Sequence, residues 1–336
     1  MRNLKSVFLA AFFLPYVALA QAGSEAPRRS IFDHIAALEN PSIVLESNLD
    51  SIVESRNDER YEPATLTLSA EGHPPEVWQV EIRNRARYRR RICDFPPIKV
   101  KFPKQALLDQ GFADHNELKL VTHCLKSPEG GENLREEYFI YKLYEQFTPA
   151  HHRAKLVSIT YINTANGKEL QRQAIFLEDE KELAERLGGE LSEDSFGLPD
   201  SAFQEENLKF LSLFQYFIGN SDWSIVMLRN LKLIKPNDGS RFLLVPYDFD
   251  FSGVVNARYA QPDGTLPISS VRHRIMLGPF SYAEELEAAI QRLERDREAI
   301  FHFIETFEPL EKSERRWINR YLQSYYRDIR KFPRQG

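Results

Sequence analysis

Between Phe210 and Gly253 the chain has little choice in what it can form. Phe210 to Ile218 is an apolar run that reads as a buried helix. Gly219-Asn220 is its stop signal, because glycine adopts the left-handed turn that ends a helix without a steric penalty. Asp222 then lies in a loop held by Trp223, and Asn230 follows shortly after. Leu231 to Ile234 and Phe242 to Val245 read as two strands around the turn Pro236-Asn237-Asp238-Gly239. Asp248 and Asp250 emerge from the second strand two positions apart, so continued strand geometry projects them from one side. Alone, each acid reads as a helix cap or a structural loop residue. In this order they point to a site made of hard oxygen ligands, the kind that suits Mg²⁺ with phosphate oxygens and water in its shell.

The rest of the chain arranges strands before helices. Ser30 can cap a helix over Ile31 to Leu38. Strands are predicted at Ile43 to Val53, Ala64 to Ser69, Val77 to Ile82, Ile98 to Phe102, Leu118 to Thr122, Leu156 to Ile162 and Gln173 to Leu177. Helices are predicted at Gln105 to Gln110 and Asn133 to Phe147 in the first half. A third begins at Glu178-Asp179-Glu180 and runs to Leu187. In the second half, Gly188 to Asp200 reads as a loop and Ser201 to Ile218 as the main helix. Two amphipathic helices, Tyr282 to Phe307 and Leu310 to Phe332, close the chain.

Protein kinases present the same order of parts: a loop aspartate near the acceptor hydroxyl, a metal-binding asparagine, then a metal-binding aspartate at the end of a hairpin. The strings GNSDWS, VPYDFDFSG, PPIKVKF and LREEYFIYKLY resemble those of the CotH kinase-like family, over roughly Ile82 to Gly253. The resemblance implies an α+β, two-lobed atypical protein-kinase-like fold. Residues 41–178 would form a mostly β N-lobe and 179–336 a mostly helical C-lobe. It implies ATP-dependent phosphorylation of a protein, with Mg²⁺ and ATP as cofactors. Asp222 would be catalytic; Asn230, Asp248 and Asp250 would hold the metal. A kinase lobe also pairs a strand lysine with a helix glutamate to grip phosphates. Glu136 matches the family's glutamate. Lys101 matches the family's lysine string, whereas Lys119 sits on the strand directly before the Glu136 helix, so both stay open.

One departure from the family is plain. Where it has glycines near the phosphates, this chain has none between Gly72 and Gly111. It has instead a basic row, Arg83, Arg85, Arg87, Arg89, Arg90 and Arg91. If the row stays extended, four arginines share one face. Arg85 and Arg87 would then take phosphates in place of backbone amides, or the patch would bind an acidic or phosphorylated partner. A solvated edge strand that uses charge against aggregation is the plainer reading. Arg272, His273 and Arg274 could face a phosphorylated or acidic substrate; packing by helix-end charges is the plainer reading.

Arg2 and Lys5, the apolar run Val7 to Ala20 and the Ala18-Leu19-Ala20 ending read as a signal peptide over residues 1–20. Residues 21–40 then form a linker with a short helix. Export, periplasmic or extracellular, follows, with no transmembrane span in the mature chain. In an oxidising compartment Cys93 and Cys124, the only two cysteines, can form a disulfide; buried thiols are the alternative. A formal net charge of −5 gives no global field to draw nucleic acid. His115, His151 and His152 lack zinc spacing, and no Gly-x-Ser-x-Gly elbow is present. Two rivals to an active kinase remain. One is a catalytically silent binding or structural protein of the cell envelope, where ATP is scarce. The other is a cation site, such as Ca²⁺, that only rigidifies the acidic loop.

Overall fold

The computed structural model describes residues 28–54, 60–85 and 89–335. The signal segment 1–20 and Arg87 lie outside the described residues. Helix α1 (Ile31–Ala37) starts on Ser30, whose hydroxyl accepts the Asp33 amide at 2.9 Å. The strands that follow are β1 (Ser42–Ser47), β2 (Glu62–Ser69), β3 (Glu76–Asn84), β4 (Ile98–Lys101), β5 (Glu117–Val121), β6 (Ala154–Asn163) and β7 (Glu169–Leu177). Between β1 and β2 lies α2 (Leu49–Glu54), and between β3 and β4 the single turn α3 (Arg89–Ile92). Next come α4 (Lys104–Asp109) and the long α5 (Glu129–Glu145).

These strands close into a seven-stranded barrel in the order β1-β2-β3-β4-β5-β7-β6. Every neighbouring pair is antiparallel except β1 with β6, which runs parallel and seals the barrel. This overturns the expected two-lobed, kinase-like architecture. An open lobe sheet would leave β1 and β6 as edges with unpaired amides; pairing them to each other removes both edges. The alternation of apolar residues supplies the driving force. Ile43, Leu45, Leu66, Trp78, Ile82, Val100, Leu120, Ile159 and Phe176 all turn inward and form one packed core.

Two local expectations fail for nameable reasons. The strand expected over Ile43 to Val53 stops at Ser47, because Asn48 accepts the Ser51 amide at 3.2 Å and starts α2. The arginine row does not continue as a strand: β3 ends at Asn84 and α3 begins at Arg89. The Arg85 amide still donates to the Pro97 carbonyl at 3.0 Å, which keeps Arg85 beside β4. Cys93, just past α3, and Cys124, just past β5, are joined by a disulfide across a separation of 31 residues.

The second half is not simply helical. It opens with α6 (Glu180–Arg186) and β8 (Gly189–Ser192), the latter inside the segment expected to be a loop. Helix α7 (Glu205–Ile218) ends on Gly219 at φ 69°, as its stop signal predicts. The hairpin β9 (Leu231–Pro236) and β10 (Leu243–Pro246) joins β8 in a three-stranded sheet ordered β10-β9-β8. The C-terminal helices are α8 (Glu287–Arg295), α9 (Arg297–Thr306) and α10 (Lys312–Asp328). Although α5 lies between barrel strands in the chain, its Leu134, Phe139 and Tyr144 share a core with Phe214 and Phe217 of α7 and Ile318 and Tyr325 of α10. Arg153 adds a polar tie, reaching Glu178 at 2.7 Å and Asp33 at 2.6 Å. No helix among the described residues is long and apolar enough to cross a membrane.

Candidate functional site

The two motifs around Gly219 and Gly253 are physically joined. Asn220 and Ser252 form an antiparallel bridge, and the Gly253 amide donates to the Gly219 carbonyl at 2.9 Å. Tyr321 of α10 packs against both glycines; a Cβ at either would collide with its hydroxyl. Asn220 is anchored to α7 through buried Gln215, its side-chain amide donating at 3.1 Å. Its Oδ1 accepts the Asp222 amide at 3.0 Å. Asn230 Nδ2 donates to the Asp222 carboxylate at 2.9 Å and to its carbonyl at 2.7 Å. Arg229 lies 3.5 Å from the other carboxylate oxygen. Asp222 is therefore held from both sides. The Tyr247 amide donates to the Asn230 carbonyl at 3.1 Å, which brings Asp248, one residue on, beside the same loop. The Asp248 amide in turn donates to the buried Tyr141 hydroxyl of α5 at 2.8 Å. Asp250, buried, accepts the Tyr259 hydroxyl at 3.0 Å.

Asp222, Asn230, Asp248 and Asp250 line one cavity of about 1070 Å³. Lys119 and Arg85 line it too, so six of the expected residues meet there. Two do not. Lys101 pairs with Glu81 at 3.1 Å in a neighbouring cavity. Glu136 is buried on α5; burial, then Glu314 and Glu132, push its carboxyl well above the ordinary range. The expected pairing of a strand lysine with Glu136 is thus absent. α5 carries Glu136 towards α10, and the partner of Lys119 is Glu180 on α6.

Glu180 bridges two ammonium groups, Lys119 and Lys232, the latter at 2.8 Å. Burial raises its carboxyl, but the two lysines outweigh this and hold it well below the usual carboxylate range. Burial pushes the Lys119 ammonium down to about 7; Glu180 opposes this, while Lys232 and Arg85 reinforce it. The Tyr247 ring lies beneath both ammoniums, 4.1 Å from Lys119 Nζ and 5.4 Å from Lys232 Nζ. Lys99 completes the basic wall; it pairs in register with Lys119 and contacts Glu117 at 2.7 Å.

Sequence reasoning missed Lys99, Lys232, Glu180, Arg229 and Asp263, all of which line this cavity. A usable signal existed for the lysines. Lys99 lies between Ile98 and Val100, and Lys232 between Leu231 and Leu233, so strand alternation turns both to the polar face.

The backbone around the cavity is unusual. Leu228 (φ 46°), Asn230 (φ 53°) and Asp248 (φ 65°) all take left-handed conformations. They are three of the five non-glycine residues that do so among the described residues, and all three line this one cavity. Asn and Asp tolerate that region; Leu does not, and such strain concentrates at functional sites. The lining carries five basic and five acidic side chains, so the cavity is formally neutral. A polyphosphate arriving alone would leave it strongly negative, whereas one arriving with a divalent cation would not.

Among the described residues no three His, Cys, Asp or Glu side chains are grouped as a ready-made metal cage. The donors present, two carboxylates and the Asn230 amide oxygen, fit a hard cation of the Mg²⁺ type. That ion takes one or two carboxylates and completes its shell with phosphate and water. No protein-family model matches the chain, and no curated protein matches it. The likeness to the CotH kinase-like family therefore stands on the strings GNSDWS, VPYDFDFSG, PPIKVKF and LREEYFIYKLY alone.

Proposed function

We propose that this protein is an exported phosphotransferase that moves the terminal phosphoryl group of Mg–ATP to a hydroxyl of an acceptor protein. The observation that carries the reading is one cavity lined by Asp222, Asn230, Asp248 and Asp250 together with Lys119, Lys232, Lys99 and Arg85. In this reading Lys119, Lys232 and Arg85 bind and orient the phosphates. Asp248, Asp250 and the Asn230 Oδ1 hold Mg²⁺, which would supply neutralisation of phosphate charge. Asn230 and Arg229 fix the Asp222 carboxylate, which orients the acceptor hydroxyl and takes its proton. The hydroxyl oxygen gains a bond to phosphorus, the bond from phosphorus to the bridging oxygen breaks, and ADP leaves with that electron pair. Such a reaction needs positioning and charge neutralisation more than covalent help from the protein. The Cys93–Cys124 bridge supports export, because disulfides persist in oxidising compartments.

A second reading, a non-catalytic binding or structural protein of the envelope, is favoured by a different observation. Glu180 already pairs with both Lys119 and Lys232, so a phosphate must compete with it. Thermal unfolding of the chain from Gln21 onward, with and without Mg–ATP, separates the two. Phosphotransfer requires a rise in Tm that Asp248→Asn removes. It also requires labelled phosphate to reach acceptor protein in an extract, with Asp222→Asn blocking transfer but not the Tm rise. No Tm change at millimolar nucleotide leaves the non-catalytic reading standing.

A further inference from the structure

The segment carrying Asp222 is a wall between two cavities. Asp222 lines the first; its neighbours Ser221, Trp223 and Ser224 line a second, of about 540 Å³. Arg229 and Asp263 line both, so the two adjoin. The second cavity is walled by apolar side chains, among them Leu198, Phe203, Ile225 and Leu277. The segments around it expose apolar side chains, of which Val226 lines this cavity, Phe196 lies between two of its lining residues and Met227 lines the first cavity. Phe196 (84% exposed), Met227 (74%) and Val226 (67%) are the three most exposed large apolar side chains among the described residues. The Ser195 hydroxyl donates to the Ile225 carbonyl at 2.8 Å, so the loops that carry these three adjoin. Exposed apolar groups gathered beside a concave surface mark a binding site rather than ordinary surface scatter.

A second observation points to the kind of ligand. Trp223 is 3% exposed, and its indole N–H has no hydrogen-bond partner among the described residues. A buried donor left unspent is costly, and a small shift of the ring towards the cavity it lines would let a ligand carbonyl satisfy it. Peptides carry such carbonyls along their whole length; acyl chains do not. Charge argues the same way. Asp200 and Asp263 line the second cavity with a single basic residue, Arg229, which also reaches Asp222 at 3.5 Å, and a lining of that sign repels an anionic membrane surface or an acidic segment.

We propose that the second cavity is the acceptor groove of the phosphotransferase, taking a bulky apolar side chain of an extended polypeptide whose serine or threonine hydroxyl reaches Asp222. The inference rests on the phosphotransfer reading for the role of Asp222. It adds the substrate class: a peptide segment with an apolar residue close to the hydroxyl and no acidic residue at that position. The wall is one chain segment thick and an extended peptide advances about 3.3 Å per residue, which puts the apolar residue roughly two or three positions from the hydroxyl.

The test is fluorescence anisotropy with labelled, otherwise neutral serine peptides that differ only in the residue two positions from serine: Leu, Ala or Glu. The Leu peptide binds about tenfold or more tightly than the other two, the factor expected for burying a leucine side chain. Val226→Asp and Phe196→Asp remove that advantage while leaving Tm unchanged, since both side chains are exposed. Asp248→Asn abolishes the Mg–ATP response but keeps the Leu preference, so a failed phosphotransfer reading and a failed groove give different results. Equal binding of the three peptides overturns the groove. So does binding to phosphatidylglycerol vesicles, or self-association in sedimentation, that Val226→Asp and Phe196→Asp abolish.

Discussion

Lys119 is the residue on which the electrostatics of the site can be tested without any ligand. Its ammonium is pushed down to about 7 in the folded chain, against an ordinary lysine value of 10.5. Between those values the unfolded chain binds a proton at this position that the folded chain does not. Stability therefore rises with pH across the window; below about 7 and above about 10.5 the slope vanishes. The full slope is about 1.4 kcal/mol per pH unit, so wild type should gain on the order of 3 kcal/mol between pH 7 and pH 9.5 from this group. Other titrating groups contribute too, and the variant Lys119→Met subtracts them. It keeps the side-chain volume and leaves Glu180 paired with Lys232, so no carboxylate is orphaned. The assay is urea unfolding of both proteins at half-unit pH steps, read as the difference in unfolding free energy. That difference should climb with pH in favour of wild type. A flat difference would show that Glu180 keeps Lys119 fully charged and that burial does not govern the site. The same reasoning bears on phosphate binding. An anionic ligand restores the ammonium, so binding above pH 7 takes up a proton, and affinity falls by up to about tenfold per unit as pH rises.

Gly253→Ala tests the junction of the two motifs: the added Cβ meets the Tyr321 hydroxyl and lies 2.9 Å from the Val271 carbonyl. It should cost about 1–3 kcal/mol of stability by overpacking, and an unchanged Tm would mean α10 is free to withdraw. Replacing both Cys93 and Cys124 by serine reopens a loop of 31 residues and should cost about 4 kcal/mol in chemical unfolding. A loss below about 1 kcal/mol would mean that the unfolded chain is already constrained there.

What could be read from the chain divides along local and non-local lines. Local signals held: Ser30 caps its helix, Gly219 stops α7, Pro236 to Gly239 turns the β9–β10 hairpin, and the apolar alternation of the early strands marks the barrel interior. Barrel closure was not legible, because nothing in β1 or β6 separately announces a parallel pairing more than a hundred residues apart in the chain. Side-chain partners failed for the same reason. Lys119 precedes α5 in sequence, so Glu136 was its natural partner by order. Yet α5 packs on β6 and β7 and shares its core with α7 and α10, and the helix whose carboxylate reaches Lys119 on β5 is α6, which follows two further strands. The acidic loop was legible because its parts are close in sequence and its geometry is set by short-range bonds: Asn220 to Asp222, Asn230 to Asp222, Tyr247 to Asn230. The basic wall comes from strands of two sheets brought together only by the tertiary fold. A site built this way has one half that survives changes of fold and one half that depends on them. The acidic loop can keep its local form beside a closed barrel even though the resemblance implied a two-lobed, kinase-like fold. The cations of the cavity cannot be carried over by resemblance, and in this chain they are drawn from β4, β5, β9 and Arg85 just past β3.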